Sequence, residues 1–100
     1  MNETEKLLNV AMEESAEVIQ ACSKSIRFGL GNHHPNRNNT NADEILIEFY
    51  QLEAIIEKLQ RAEKLPKYSE EYIKNIKKNK LAKMKKYETQ TKNNKRNNYK

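Results

Sequence analysis

The stretch Leu7-Leu8-Asn9-Val10-Ala11-Met12-Glu13-Glu14-Ser15-Ala16-Glu17-Val18-Ile19-Gln20-Ala21-Cys22 decides the fold. Its apolar residues return every three or four positions and do not alternate, which is the period of a helix rather than of a strand. At about 100° per residue, Leu7, Leu8, Ala11, Met12, Ser15, Val18, Ile19, Cys22 and Ile26 fall within one broad arc, which is expected to be the buried stripe. Glu13, Glu14 and Glu17 are expected to share a patch on the opposite side. Asn2 or Thr4 can cap the start and Gly29 can stop the end, so one long helix is expected from about Glu3 to Arg27.

Outward from that helix, Gly29 to Asn39 is rich in Gly, Asn and Pro and reads as a connecting loop. Thr40 or Asn41 can cap a second helix, with Asp43 or Glu44 as the reciprocal partner of a capping box. Ile45, Leu46, Phe49, Leu52, Ile55, Ile56 and Leu59 recur at helical spacing, and Pro66 forbids continuation, so the second helix is expected to reach about Lys64. Glu44, Glu48 and Gln51 form a polar row beside that apolar one. A third helix is expected from Ser69 to about Tyr87, with a thin apolar stripe of Tyr72, Ile73, Ile76, Leu81 and Met84. The fold class is therefore all-α: an antiparallel hairpin of two long helices with a third helix nearby. Residues 1–87 are expected to form one domain, and the Lys- and Asn-rich residues 88–100 a disordered tail.

With 36% hydrophobic and 33% charged residues in a chain of 100, little apolar material is left for a core, and a second domain is excluded. That shortage, together with the wide apolar arcs, predicts an oligomer, a homodimer or a homotetramer built as a dimer of dimers. A mean hydropathy of -1.07 and the absence of a long apolar run argue against a membrane span. The opening Met-Asn-Glu-Thr-Glu-Lys lacks the features of a secretory signal and Cys22 has no partner for a disulfide, so a cytoplasmic location is expected. Charge divides along the chain. Residues 1–65 hold seven Lys or Arg against eleven Asp or Glu, whereas residues 66–100 hold twelve against three. The basic end admits contact with a phosphate backbone, but no base-reading motif accompanies it, so nucleic acid is not the expected partner.

Glu13, Glu14 and Glu17 on the first helix, with Glu44 and Glu48 on the second, are five carboxylates on two helices that must pack together. Such a set of hard oxygen donors suits Mg²⁺, with Mn²⁺ as an alternative, held by a few carboxylates while substrate phosphates and water fill the other positions. His33 and His34 have no Cys or acidic neighbour in sequence and are expected to be solvated, not to bind zinc. Cys22 is expected to be a small buried hydrophobe.

Glu13-Glu14-Ser15-Ala16-Glu17-Val18-Ile19-Gln20, followed after the loop by Glu48-Phe49-Tyr50-Gln51-Leu52, resembles the Glu-Glu-x-x-Glu and Glu-x-x-Asp motifs of the MazG-like all-α nucleoside triphosphate pyrophosphohydrolases. Lys24, Arg27, Phe28 and Gly29 are similar to the Lys-x-x-Arg-Phe-Gly ending of the first helix in short phage-type members. The resemblance covers roughly residues 5 to 60. It implies hydrolysis of a nucleoside triphosphate to the monophosphate and pyrophosphate, with Glu13, Glu14, Glu17 and Glu48 catalytic. It implies a metal site of Glu14, Glu17 and Glu48 with Gln51 at the remaining motif position, cations on the departing pyrophosphate, for which Lys24 and Arg27 are the nearest candidates, and an oligomer; Phe28 suits either stacking on a base or covering the end of the core. Gln51 stands where the family pattern has Asp, and a neutral amide is a poorer Mg²⁺ ligand. Glu44, one turn before Glu48, is the candidate to compensate. A helical nucleotide-binding or interaction protein with weakened catalysis is the alternative reading.

Overall fold

Asn2 opens the first helix. Its side chain accepts from Glu5 N–H at 2.8 Å while Glu5 Oε1 accepts from Asn2 N–H at 3.3 Å, a complete capping box. In this computed structural model, α1 spans Glu3–Phe28, α2 Asn41–Arg61 and α3 Glu70–Asn98. The structure describes the backbone of residues 1–98 and the side chains of residues 1–88. The described residues contain no strand, and no helix among them is long and apolar enough to cross a membrane.

Gly29 ends α1 at φ 94, a conformation that glycine adopts without a Cβ penalty, and its N–H bonds back to Ser25 O at 2.8 Å. Thr40 caps α2: its hydroxyl accepts from Asp43 N–H at 3.1 Å, and Asp43 accepts from Thr40 N–H at 3.0 Å. Asn41, one of the two capping residues the sequence admits, lies inside the helix instead. Its side chain donates to Gly29 O at 2.8 Å and its N–H donates to Asn32 O at 2.8 Å, so it is buried and staples the loop to α2.

The end of α2 falls before the expected Lys64. Glu63 takes φ 59, its N–H bonds to Gln60 O and the Lys64 N–H bonds to Leu59 O. This Schellman turn closes the last carbonyls three residues ahead of Pro66.

The chain divides after Pro66 into residues 1–66 and 67–100. In the first unit, α1 and α2 pack antiparallel: Gly29 pairs with Asn41, Lys24 with Glu44, and Glu14 and Glu17 act on Glu48 further along. The seam is formed on α1 by Leu7, Ala11, Glu14, Val18, Ala21 and Ser25 and on α2 by Asn41, Ile45, Glu48, Leu52, Ile55 and Leu59, all buried or half-buried. Both series step by four and three residues, the 3.5-residue repeat of helices that pack side by side over several turns.

This seam corrects the expected stripe in two ways. Glu14 lies in the seam and not opposite it. Leu8, Met12, Ile19, Cys22 and Ile26 are exposed, because they occupy the neighbouring strip of α1 about a quarter-turn away. Ala21 fills the seam position that Cys22 was expected to share. Ser15 and Ser25 enter the seam region without a cross-helix partner by donating to Ala11 O and Ala21 O of their own helix.

In the second unit, Ser69 caps α3, its hydroxyl accepting from Tyr72 N–H at 3.2 Å, and Glu70 and Glu71 occupy the first turn. The helix runs beyond Tyr87 to Asn98, into the segment expected to be disordered. Residues 99 and 100, the end of that segment, lie outside the described residues.

Candidate functional site

Two of the seam positions that helix packing reserves for apolar side chains are held by glutamates. Glu14 sits between Ala11 and Val18 in the α1 series, and Glu48 sits between Ile45 and Leu52 in the α2 series. Burying a carboxylate without a partner is costly, so a fold that served stability alone would place Leu or Ala at both. Glu14 Oε2 is shut off from solvent and has no hydrogen-bond partner. The Glu48 carboxyl is pushed above the ordinary range by partial burial first, then by the charges of Glu17, Glu14 and Glu44, with Lys24 opposing.

Those interactions define which predicted residues come together. Glu14 and Glu17 from α1 and Glu44 from α2 all act on Glu48, with Lys24 opposing them and lying 4.0 Å from Glu44. Glu17 is exposed on the rim, one turn from Glu14. Glu44 is half-buried and is gripped by two cations: Arg37 Nη1 donates to its Oε1 at 3.0 Å, and Lys24 Nζ lies 4.0 Å from its Oε2. Glu13 is exposed and, one residue before Glu14, is turned about 100° from it and out of the seam. Gln51 is exposed on the flank of α2, one turn beyond Glu48. Arg27 and Phe28 are exposed at the end of α1, the guanidinium 5.3 Å from the ring centre.

Arg37 is a member of this group that the sequence reading passed over. It lies in the loop, seven residues before Glu44, so no helical spacing links the two. The signal was its position as the one cation within an Asn-, His- and Pro-rich connection. The His33 ring is turned back on the loop, its Nδ1 2.9 Å from His34 O, and His34 Nδ1 accepts from Asn36 N–H at 3.2 Å.

The donor set suits Mg²⁺ in kind: carboxylate oxygens, one of them buried and unpartnered, in a group whose mutual repulsion a cation would relieve. Among the described residues, no three His, Cys, Asp or Glu side chains meet closely enough to hold a metal ion by themselves. Comparison with known proteins finds no matching family model, no matching curated protein and no matching solved structure.

Proposed function

We propose that this chain is a Mg²⁺-dependent nucleoside triphosphate pyrophosphohydrolase of the MazG-like kind that its sequence resembles. The observation that carries the reading is the pair of glutamates, Glu14 and Glu48, set in apolar seam positions of facing helices with one oxygen of Glu14 unpartnered. The resemblance assigns the metal to Glu14, Glu17 and Glu48, to which Glu44 and Gln51 add support. As no three of these carboxylates meet closely enough by themselves, one or two of them would hold it, and water and phosphate oxygens would complete its coordination. When bound, Mg²⁺ supplies the positive charge that neutralises the phosphates.

The residues of the chain do the rest. The seam carboxylates orient a water against the α-phosphorus and accept its proton. The bond from that phosphorus to the bridging oxygen breaks, and pyrophosphate leaves with the electron pair while the water oxygen stays on the monophosphate. Lys24 and Arg27, further along α1 towards the loop, stand where cations can meet the departing pyrophosphate. Glu13, turned out of the seam, acts at most on solvent outside this centre.

The reading includes a homodimer or homotetramer. Residues 1–66 bury only Ala21, Leu59 and Asn41, while Met12, Ile19 and Ile26 remain 69%, 68% and 86% exposed on one strip of α1. A second copy laid along that strip would give the hairpin the core it lacks.

The second reading, a nucleotide-binding protein with weakened catalysis, is favoured by Gln51, which brings no charge to the place where the family pattern has Asp. A panel of nucleoside triphosphates with Mg²⁺ or Mn²⁺, assayed separately for pyrophosphate and orthophosphate, tests the choice. Metal-dependent pyrophosphate release supports the hydrolase. Binding without turnover supports the alternative.

A further inference from the structure

The loop end of the helix pair holds a cleft of about 310 Å³ whose walls include Lys24, Phe28, His33, His34, Arg37 and Glu44. Glu44 belongs both to this cleft and to the acidic group around Glu48, so the cleft opens directly beside the candidate reaction centre.

Its lining is rich in donors. A guanidinium carries five N–H groups, and Arg37 gives one hydrogen bond, from Nη1, to Glu44. Lys24 reaches the same carboxylate only at 4.0 Å. His34 Nδ1 accepts from the Asn36 N–H, so its Nε2 carries the proton and is a donor. Among the residues that line the cleft, two cations face one carboxylate, and Phe28 and Pro35 supply apolar wall beside them.

The loop that carries these groups is held in place before any ligand arrives. Asn41 pins it at Gly29 and Asn32, Ala42 N–H bonds to Leu30 O at 3.0 Å, and Arg37 N–H bonds to His34 O at 2.9 Å. Donors fixed in advance around an anion site are worth more than donors that must be ordered on binding.

The geometry points to this cleft as the seat of the pyrophosphoryl group, with Arg37 as its principal grip and Glu44 as the carboxylate that holds Arg37 until a phosphate displaces it. Phosphate oxygens accept and do not donate, which matches a wall of Arg, Lys and imidazole N–H groups. The identity of the anion rests on the proposed hydrolysis; the anion preference of the cleft does not.

Isothermal calorimetry with inorganic pyrophosphate, in a chelating buffer free of divalent metal, tests the assignment without requiring turnover. The parent is expected to bind at one site. Arg37→Ala should weaken binding by about tenfold or more, the usual consequence of losing a charged hydrogen bond. Arg37→Lys should recover part of it, and Lys6→Ala, which removes the same charge near the other end of α1, should leave it within about twofold. Glu44→Gln breaks the same ion pair but removes the competing carboxylate, so binding should tighten. A purely structural ion pair would instead make Arg37→Ala and Glu44→Gln equally harmful.

No pyrophosphate binding by the parent, equal binding by Arg37→Ala, or weakening by Glu44→Gln would overturn the assignment. Binding that depends on Arg37 in a protein that turns over no nucleotide would keep the seat and reject the hydrolase. Turnover with binding indifferent to Arg37 would do the reverse.

Discussion

Arg37 donates from Nη1 to Oε1 of Glu44 across 3.0 Å, and Lys24 approaches the other oxygen of the same carboxylate. The loop, α1 and α2 therefore meet at one acidic side chain, and Glu44 joins a cationic cleft to an acidic seam. Both cations are well exposed, so the pair adds little to stability.

The loop itself depends on Asn41. Asn41→Ala removes a buried donor to Gly29 O and should lower stability by about 1–2 kcal/mol, the cost of one well-formed buried hydrogen bond. Chemical denaturation followed by circular dichroism measures it, and a variant as stable as the parent would show that the staple is dispensable.

Glu48 makes stability depend on pH. Its folded carboxyl titrates above its ordinary value, so its favourable contribution is complete below that value and is lost as pH rises through the raised one. Glu48→Gln should therefore be more stable than the parent at neutral pH and match it in acid, near pH 4 and below. Urea midpoints at the two pH values provide the check; an equal offset at both would separate the effect from titration.

Much of the helical frame was legible in the sequence because it rests on local chemistry. Asn2, Gly29, Thr40 and Ser69 sit where caps and stops act within a few residues, and the structure uses all four. The seam was harder to read. Leu8, Met12, Ile19 and Ile26 are large, and they pull the apparent centre of the α1 stripe about a quarter-turn away from the smaller Ala11, Val18 and Ala21 that actually face α2. The four-three stepping through Leu7, Ala11, Glu14, Val18, Ala21 and Ser25 was present in the sequence but passes through a glutamate. A site residue in a core position disrupts the hydrophobic pattern that would have located it. The Arg37–Glu44 contact depends on loop conformation, for which periodicity carries no signal.

The proposed oligomer would form along the strip that misled the pattern. Ile19→Glu places a charge at its middle and should shift a sedimenting dimer or tetramer to monomer while α1 stays helical, since the position does not face α2. A parent that sediments as a stable folded monomer at micromolar concentration would contradict the assembly.

The central claim is that water attacks the α-phosphorus of a nucleoside triphosphate at the Glu14, Glu17 and Glu48 centre. Mass spectrometry of the products formed in heavy-oxygen water with Mg²⁺ tests it most directly. The account predicts one heavy oxygen in the nucleoside monophosphate and none in the pyrophosphate, with turnover lost in Glu17→Ala and Glu48→Ala and with Gln51→Asp reaching full rate at a lower Mg²⁺ concentration. Label in pyrophosphate or orthophosphate, or turnover that survives in Glu48→Ala, would contradict it.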